Sequence, residues 1–314
     1  MKNASIRIIL DDLKISFKFA FKNAISYILA LFGVIIISGI LLVFVAVLIF
    51  VPMIFLAGGI EGMTAIFESF GADFSSGFAN IVVGGLLIAL PLAAPFFVAI
   101  GALFGMGREI VESEGTSAEG VFTWYKKRFF SLAGGGLVLF SIVLGPLILI
   151  ILGGIAVFGI DFFNFALITS GTASTMNPII GAVLMIWFAV SLGLLSMLFP
   201  AIIDGYSVFE ATKKSIRLSI TYFDRVFGVW MAYLLIVGLL ILPMVVAPFT
   251  LGFSDSVVIL LAGFAIPALI FLIFIFMPAL TIGLTRVYMI LTADDDYEED
   301  MQEDTSGPNF IGGL

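Results

Sequence analysis

Long runs without a single charged side chain dominate this sequence. They cover 24–60, 74–107, 129–160, 162–203, 226–254 and 256–285. A membrane span needs only about 20 apolar residues, and a soluble core needs no uncharged run of this length. Hydrophobic residues make up 61% of the chain and charged residues 11%, against roughly one quarter charged in soluble domains. The sequence therefore predicts a polytopic membrane protein.

The predicted fold class is all-α, with six transmembrane helices arranged as three helical hairpins and joined by cytoplasmic amphipathic helices. The spans are placed at 25–56, 79–104, 131–158, 178–203, 226–251 and 257–290. Three regions are expected: a cytoplasmic amphipathic helix at 1–23, a membrane domain at 24–291, and an acidic, largely disordered cytoplasmic tail at 292–314. Bends in the last two spans are predicted at Pro243, Pro248, Pro267 and Pro278.

All 14 basic side chains fall on one side of the predicted spans. Five precede the first span, four lie between spans 2 and 3, four lie between spans 4 and 5, and Arg286 ends span 6. The predicted outer loops hold none. Because Lys and Arg are enriched in cytoplasmic loops, this bias predicts a multi-pass plasma-membrane protein with both termini in the cytoplasm.

Two polar joints contain helix-start signals. Ser207 and Glu210 have the S-x-x-E spacing of a capping box, in which each side chain bonds the backbone N–H of the other residue. A helix is therefore predicted to begin at Ser207. Thr116 and Glu119 repeat the spacing between spans 2 and 3. The segment 1–23 is predicted to be an amphipathic helix that lies along the headgroups, with a water-exposed continuation of the first span as the alternative.

Each joint helix carries basic side chains next to aromatic ones. These are candidate contacts to anionic lipid headgroups or to a protein partner: Lys126, Lys127, Arg128, Lys213, Lys214 and Arg217. Each basic side chain near an anionic membrane surface contributes about 1 kcal/mol, and aromatic rings fix the depth. The alternative is that these residues only set the topology.

Small residues recur along span 2 at a spacing that is mostly a multiple of four. They are candidate helix-packing residues: Gly85, Ala89, Ala93, Gly101 and Gly105. Small side chains let helix backbones approach closely in a membrane. A substrate path along this row is the weaker interpretation, since packing explains it fully.

Cysteine and histidine are both absent from the chain. Their absence removes the usual ligands of zinc, haem and iron–sulfur clusters and the commonest general base near neutral pH. We therefore expect no cofactor, no catalytic residue and no enzyme activity, with carboxylate-bound Mg²⁺ or Ca²⁺ left open. The densest mixed-charge patch is interpreted as a solvated loop rather than a cation or acid–base site: Arg108, Glu109, Glu112, Glu114 and Glu119. Apart from the acidic tail, acids and bases balance, and nucleic-acid binding is not expected.

The joint around Glu210, Ala211, Ser215 and Leu218 resembles the E-A-x-x-x-S-x-x-L joint of uncharacterised six-span prokaryotic membrane proteins of archaeal type. Similar joints occur in the membrane domain attached to some glycerophosphodiester phosphodiesterases. The resemblance covers about 30 residues and implies a six-span fold. It does not imply phosphodiesterase activity, because the catalytic domain is not part of this chain.

Together these features predict a non-enzymatic membrane component that binds lipid or a partner. The partner is membrane lipid, another protein, or a second copy of the chain bound through the joints and the acidic tail. The alternative is a permease or exporter subunit that works with a separate ATPase. No predicted span has an ionisable group away from its ends, which disfavours a proton pump. A polar cavity between the spans would favour transport, and apolar packing would favour lipid or partner binding.

Overall fold

The computed structural model describes residues 5–72, 74–158, 176–251 and 254–305, and within this part the chain is helical without any β-strand. The described residues form twelve α-helices and one π-helical turn at Leu272–Phe276. The α-helices are α1 (Ile6–Lys22), α2 (Ala24–Leu56), α3 (Ile60–Ala72), α4 (Phe74–Ser113), α5 (Ala118–Lys127), α6 (Phe129–Phe158), α7 (Met176–Leu194), α8 (Leu198–Asp204), α9 (Val208–Thr221), α10 (Phe223–Leu251), α11 (Asp255–Phe271) and α12 (Met277–Thr305).

Six segments among the described residues are long and apolar enough to cross a membrane, which confirms the predicted all-α, multi-pass fold class. They are Ala24–Leu56, Ile88–Ser113, Phe129–Ile150, Ala182–Asp204, Phe223–Met244 and Ile259–Ala293. Consecutive spans touch: α2 packs on α4, α6 on α7, and α10 on α11. The arrangement as three hairpins, the cytoplasmic side and the identity of the membrane stay predictions. Most of the predicted outer loop at 161–177 lies outside the described residues.

The buried core lies at one end of the helix bundle. We call it the polar end, because it carries the ionisable side chains Asp12, Arg108, Asp204, Arg225 and Arg286. α4 is the central helix and contacts α2, α5, α6, α8 and α12. Ile110, Ile202 and Leu291 are among the fully buried side chains there. By contrast, many apolar side chains of α2 and α11 are exposed, as suits helices whose surroundings are lipid tails.

The predicted fourth span is two helices rather than one. α7 ends at Leu194 and α8 begins after a short interruption. Among the described residues, the interruption leaves the Leu194 carbonyl without a backbone N–H, and α9 supplies its donors: Ser215 Oγ (2.8 Å) and Ser219 Oγ (3.2 Å). Ser219 Oγ also donates to Gly193 O (3.3 Å). Irregular backbone at membrane depth is tolerated where protein groups bond it. Two buried serines of the following joint therefore stabilise this interruption.

The sixth span continues beyond its predicted end. α11 passes through the π turn at Leu272–Phe276 into α12, and Pro278 lies in the first turn of α12. Proline has no backbone N–H, and a π turn accommodates such a defect in the hydrogen-bond ladder. The tail at 292–314 was expected to be largely disordered, yet α12 runs on as helix to Thr305. The tail extends an existing helix with good helix formers such as Glu and Met; residues 306–314 lie outside the described ones.

α1 is amphipathic as predicted, but its buried side includes polar residues as well as apolar ones. Asn23 separates α1 from α2. α1 packs on α10 and α12 and buries Asp12, Ser16 and Ala20, whereas the apolar side chains of Leu10 and Phe21 are exposed. α1 is thus packed against the bundle, and it is not a free, water-exposed continuation of the first span.

Candidate functional site

α9 is held in place by the residues of the E-A-x-x-x-S-x-x-L motif. Ser207 is the N-cap: its Oγ accepts from Glu210 N–H (3.5 Å), and its own N–H donates to the Glu210 carboxylate (3.1 Å). The predicted capping box is therefore confirmed, and the hydrogen bonds from Ser207 lower the pKa of Glu210. Ala211, Ser215 and Leu218 are fully buried on the face that packs against the bundle. The motif thus specifies the start and the packing of α9 and leaves its opposite face free.

A tight turn joins α8 to α9 and is contacted by two cations. Gly205 has a φ of 121°, a left-handed conformation that favours glycine. Asp204, just before it, accepts a hydrogen bond from Arg108 Nη1 (2.8 Å) and so ties α8 to α4. Tyr206, just after it, accepts from Lys214 Nζ (2.6 Å), which also lies 4.2 Å from the centroid of the Tyr206 ring.

Arg128 approaches the same turn from the junction of α5 and α6. A Cβ at Gly205 would lie 3.2 Å from Arg128 Nη2, so glycine leaves the space that the guanidinium uses. Arg128 Nε is buried and has no hydrogen-bond partner within the part of the chain that the structure describes. A buried N–H without an acceptor costs about 1 to 3 kcal/mol, and more for a charged group. The turn therefore carries a cation with an unsatisfied donor.

The other four basic residues of the predicted sets are exposed: Lys126, Lys127, Lys213 and Arg217. In the described residues, the three lysines among them form no ion pair. Lys127 Nζ lies 5.1 Å from the centroid of the Trp124 ring. The structure thus brings one member of each set to the α8–α9 turn and leaves the others on the surfaces of α5 and α9.

Glu109 of α4 positions α5. Trp124 Nε1 donates to Glu109 Oε1 (2.9 Å), and Thr116 Oγ1 donates to Glu109 Oε2 (2.6 Å). α5 begins one residue later than the predicted box requires: its N-cap is Ser117, without a side-chain cap bond, and Glu119 is the second residue of the helix. The predicted Thr116–Glu119 capping box is wrong, because Thr116 is not the N-cap and Glu119 is not at the third position of the helix.

Three of the remaining four charges of the mixed-charge patch, those of Arg108, Glu112 and Glu114, form ion pairs. Arg108 Nε donates to Glu112 Oε1 (2.8 Å), and Lys22 Nζ lies 3.2 Å from Glu114 Oε2 at an exposed position. Among the described residues, no group of three or more acidic, His or Cys side chains is placed to hold a metal ion. The Arg108–Glu112 pair lies within α4, whereas the Lys22–Glu114 pair links the end of α1 to the end of α4.

The predicted helix-packing residues have different surroundings along α4. A Cβ at Gly101 would lie 2.5 Å from a leucine of α6, and a Cβ at Gly105 would lie 2.3 Å from the indole of α5. Ala93 is half-buried and Ala89 is exposed. The surroundings of Gly85 lie outside the part of the chain whose side-chain environment the structure describes. Close approach of helices is therefore found at the end of the row nearest the polar end.

An ion cluster at the contact of α1, α10 and α12 is absent from the sequence-based site predictions. Asp12 accepts hydrogen bonds from Arg225 Nε (3.2 Å) and Nη2 (3.1 Å), and Arg286 Nη1 donates to Asp12 Oδ1. One turn along α1, Ser16 Oγ accepts from Tyr233 OH (2.8 Å). The signal that could have pointed to this cluster is positional: Ser16 and Asp12 lie one and two helical turns before the apolar Ala20, on the same side of α1.

Three cavities between the spans are lined almost entirely by apolar side chains in the described part of the bundle. One of about 600 Å³ lies between α6, α7 and α10 and includes Trp187, whose Nε1 donates to Val143 O (3.2 Å). One of about 640 Å³ lies between α7 and α10 and includes Asp224 in its lining. The third, of about 210 Å³, lies between α10 and α11.

No family model, no curated protein and no solved structure matches the chain. The resemblance of the α9 joint to six-span prokaryotic membrane proteins therefore stays an expectation from the sequence.

Proposed function

We propose that the chain is a non-enzymatic integral membrane protein whose polar end binds anionic lipid headgroups along the exposed faces of α5 and α9. The observation that carries this proposal is the exposed group of Lys126, Lys127 and Lys213, which no carboxylate of the described residues neutralises. Both helices pack on the bundle through their opposite faces. In the proposed orientation this surface lies at the headgroups of the cytoplasmic leaflet of the plasma membrane.

The lysines and their neighbours have the chemistry that this binding needs. At about 1 kcal/mol for each cation near an anionic surface, three lysines supply about 3 kcal/mol, which is roughly a hundredfold in affinity. The Trp124 ring beside Lys127 is an aromatic group of the kind enriched at membrane interfaces. Arg128 adds a guanidinium, whose N–H fork suits phosphate oxygens.

The cavities favour lipid binding over the permease or exporter alternative. A carrier for polar or charged solutes needs polar groups along its path through the spans. The three cavities in the described part of the bundle face apolar side chains almost throughout. A protein partner that docks on α5 and α9 is a separate outcome of the test below.

The test compares two triple variants of equal charge change. K126Q/K127Q/K213Q removes the exposed lysines of α5 and α9, and R7Q/K14Q/K18Q removes three exposed cations of α1. Native mass spectrometry of each detergent-purified protein measures bound phosphatidylglycerol and bound phosphatidylcholine. We expect K126Q/K127Q/K213Q to bind phosphatidylglycerol about a hundredfold more weakly, with phosphatidylcholine binding unchanged.

The α1 variant is the matched control for total charge, and its loss of phosphatidylglycerol is expected to be the smaller of the two, since Trp124 lies beside Lys127 on the α5 surface. Equal losses in the two variants would mean that total charge matters and the α5–α9 surface does not. If lipid binding is unchanged and a protein co-purifies with wild type but not with K126Q/K127Q/K213Q, the ligand of this surface is a protein partner and not lipid.

A further inference from the structure

The ion cluster of Asp12, Arg225 and Arg286 contains two guanidinium groups and a single carboxylate. Among the described residues, both arginines form ion pairs with Asp12 alone. The exposed fractions of the side chains are 4% for Asp12, 13% for Arg225 and 24% for Arg286. A charge removed this far from water is costly unless it is paired. Within the part of the chain that the structure describes, one positive charge of the cluster therefore lacks a counter-charge.

The arginines also retain hydrogen-bond donors that Asp12 does not use. Arg225 donates through Nε and Nη2, and Arg286 donates through Nη1. Nη1 of Arg225, and Nε and Nη2 of Arg286, have no acceptor in the described part of the chain. Arginine presents five N–H groups in a planar fork that matches the oxygens of phosphate. Arg286 is the more exposed of the two, so an anion reaches the cluster from its side.

We propose that this cluster is a binding site for a phosphate group, supplied by the phosphodiester of an anionic lipid headgroup or by free inorganic phosphate. The bound phosphate accepts hydrogen bonds from the unused donors of both arginines and neutralises the surplus charge. The site is separate from the lysines of the proposed function, because it lies between α1, α10 and α12. Its occupation strengthens the attachment of α1, since α10 and α12 supply the two arginines.

Two variants separate a phosphate site from a purely structural ion cluster. Asp12→Asn removes the carboxylate that competes with phosphate for the guanidinium groups. It is expected to lower the melting temperature without phosphate and to tighten phosphate binding about tenfold. Arg286→Gln leaves the Arg225–Asp12 pair in place and removes the surplus charge. It is expected to weaken phosphate binding about tenfold or more.

The measurement is the thermal shift of the full-length protein in neutral detergent as phosphate replaces chloride at matched ionic strength. Separate titrations use short-chain phosphatidylglycerol and short-chain phosphatidylcholine. A shift with phosphatidylglycerol and none with inorganic phosphate assigns the site to a lipid headgroup, and the reverse assigns it to free phosphate. Phosphatidylcholine, whose choline cancels the phosphate charge, is expected to shift the melting temperature least.

The proposal predicts a larger ligand-induced shift for Asp12→Asn than for wild type, and a smaller one for Arg286→Gln. Equal shifts in all three proteins would overturn it, as would an Asp12→Asn protein that is destabilised and not rescued by either ligand. The triple variant K126Q/K127Q/K213Q is expected to keep the wild-type shift with inorganic phosphate. If the lysine surface proves not to bind lipid, the phosphate result for this cluster can therefore still be interpreted.

Discussion

The interruption between α7 and α8 is predicted to depend on two serine hydroxyls of α9. The carbonyl of Leu194 accepts no backbone N–H in the described part of the chain, and it relies on Ser215 Oγ (2.8 Å) and Ser219 Oγ (3.2 Å). Each serine is fully buried. Replacing one serine with alanine leaves the carbonyl one partner, so each single variant is expected to lose about 1 kcal/mol of unfolding free energy.

The double variant Ser215→Ala/Ser219→Ala leaves that carbonyl without a partner. An unsatisfied buried acceptor adds its own desolvation penalty, so the double variant is expected to lose about 3 kcal/mol. This exceeds the sum of the single losses by about 1 kcal/mol, which is the coupling expected of residues that share a partner.

The assay is unfolding in mixed micelles as the fraction of sodium dodecyl sulfate rises, followed by circular dichroism of the helices. Thr212→Val is the matched control, because Thr212 Oγ1 bonds only Val208 O of α9 itself (2.8 Å) and valine keeps its shape. The reasoning is refuted if the double variant and Thr212→Val unfold at the same fraction of sodium dodecyl sulfate. It is also refuted if the double variant loses only the sum of the free energies of unfolding that the two single variants lose.

Three further predictions concern the joints. Gly105→Leu is expected to lower the free energy of unfolding by at least about 1 to 3 kcal/mol, since its Cβ would lie 2.3 Å from Trp124 Cγ. Gly145→Leu is the control, because nothing lies within 4 Å of its Cβ, and it is expected to unfold like wild type. A melting temperature of Gly105→Leu that matches wild type contradicts this prediction. Ser207→Ala is expected to cost about 1 kcal/mol. Because the pKa of Glu210 is lowered on folding, its stabilising contribution is present above its unfolded pKa and is lost as pH falls through its folded pKa. A stability-versus-pH comparison with Glu210→Gln tests this, and parallel curves would be the contrary result.

Features that depend on nearby residues could be predicted from the sequence. The uncharged runs identified the six membrane-spanning segments because lipid admits little else at that length. The Ser207–Glu210 box could be identified because both partners lie within one turn. Thr116 and Glu119 have the same spacing, yet their box does not form, since α5 starts one residue later with Ser117 as its N-cap, while the Thr116 hydroxyl donates to Glu109 of the preceding helix. Local spacing therefore predicts a cap only where the helix starts at the first residue of the box.

Features that need partners from distant parts of the chain could not be predicted. The interruption of span 4 is stabilised by hydroxyls of α9, and the hydropathy of the span itself contains no trace of them. Asp12 is buried because Arg225 and Arg286 come to it from two other helices. The candidate lysines are exposed on the joints, while Arg128 and Lys214 converge on one turn only because α6 and α9 meet there.

The π turn at Leu272–Phe276 sets the rotational phase of everything that follows it. Each residue of a regular α-helix advances the helix by about 100°, and a π turn inserts one extra residue into that count. Without the insertion, Arg286 and Tyr288 would point about 100° away from the acids that they now contact. The one extra residue thus rotates the side chains of α12 relative to those of α11. The first half of the last span can therefore face lipid tails while the second half faces the polar groups of neighbouring helices.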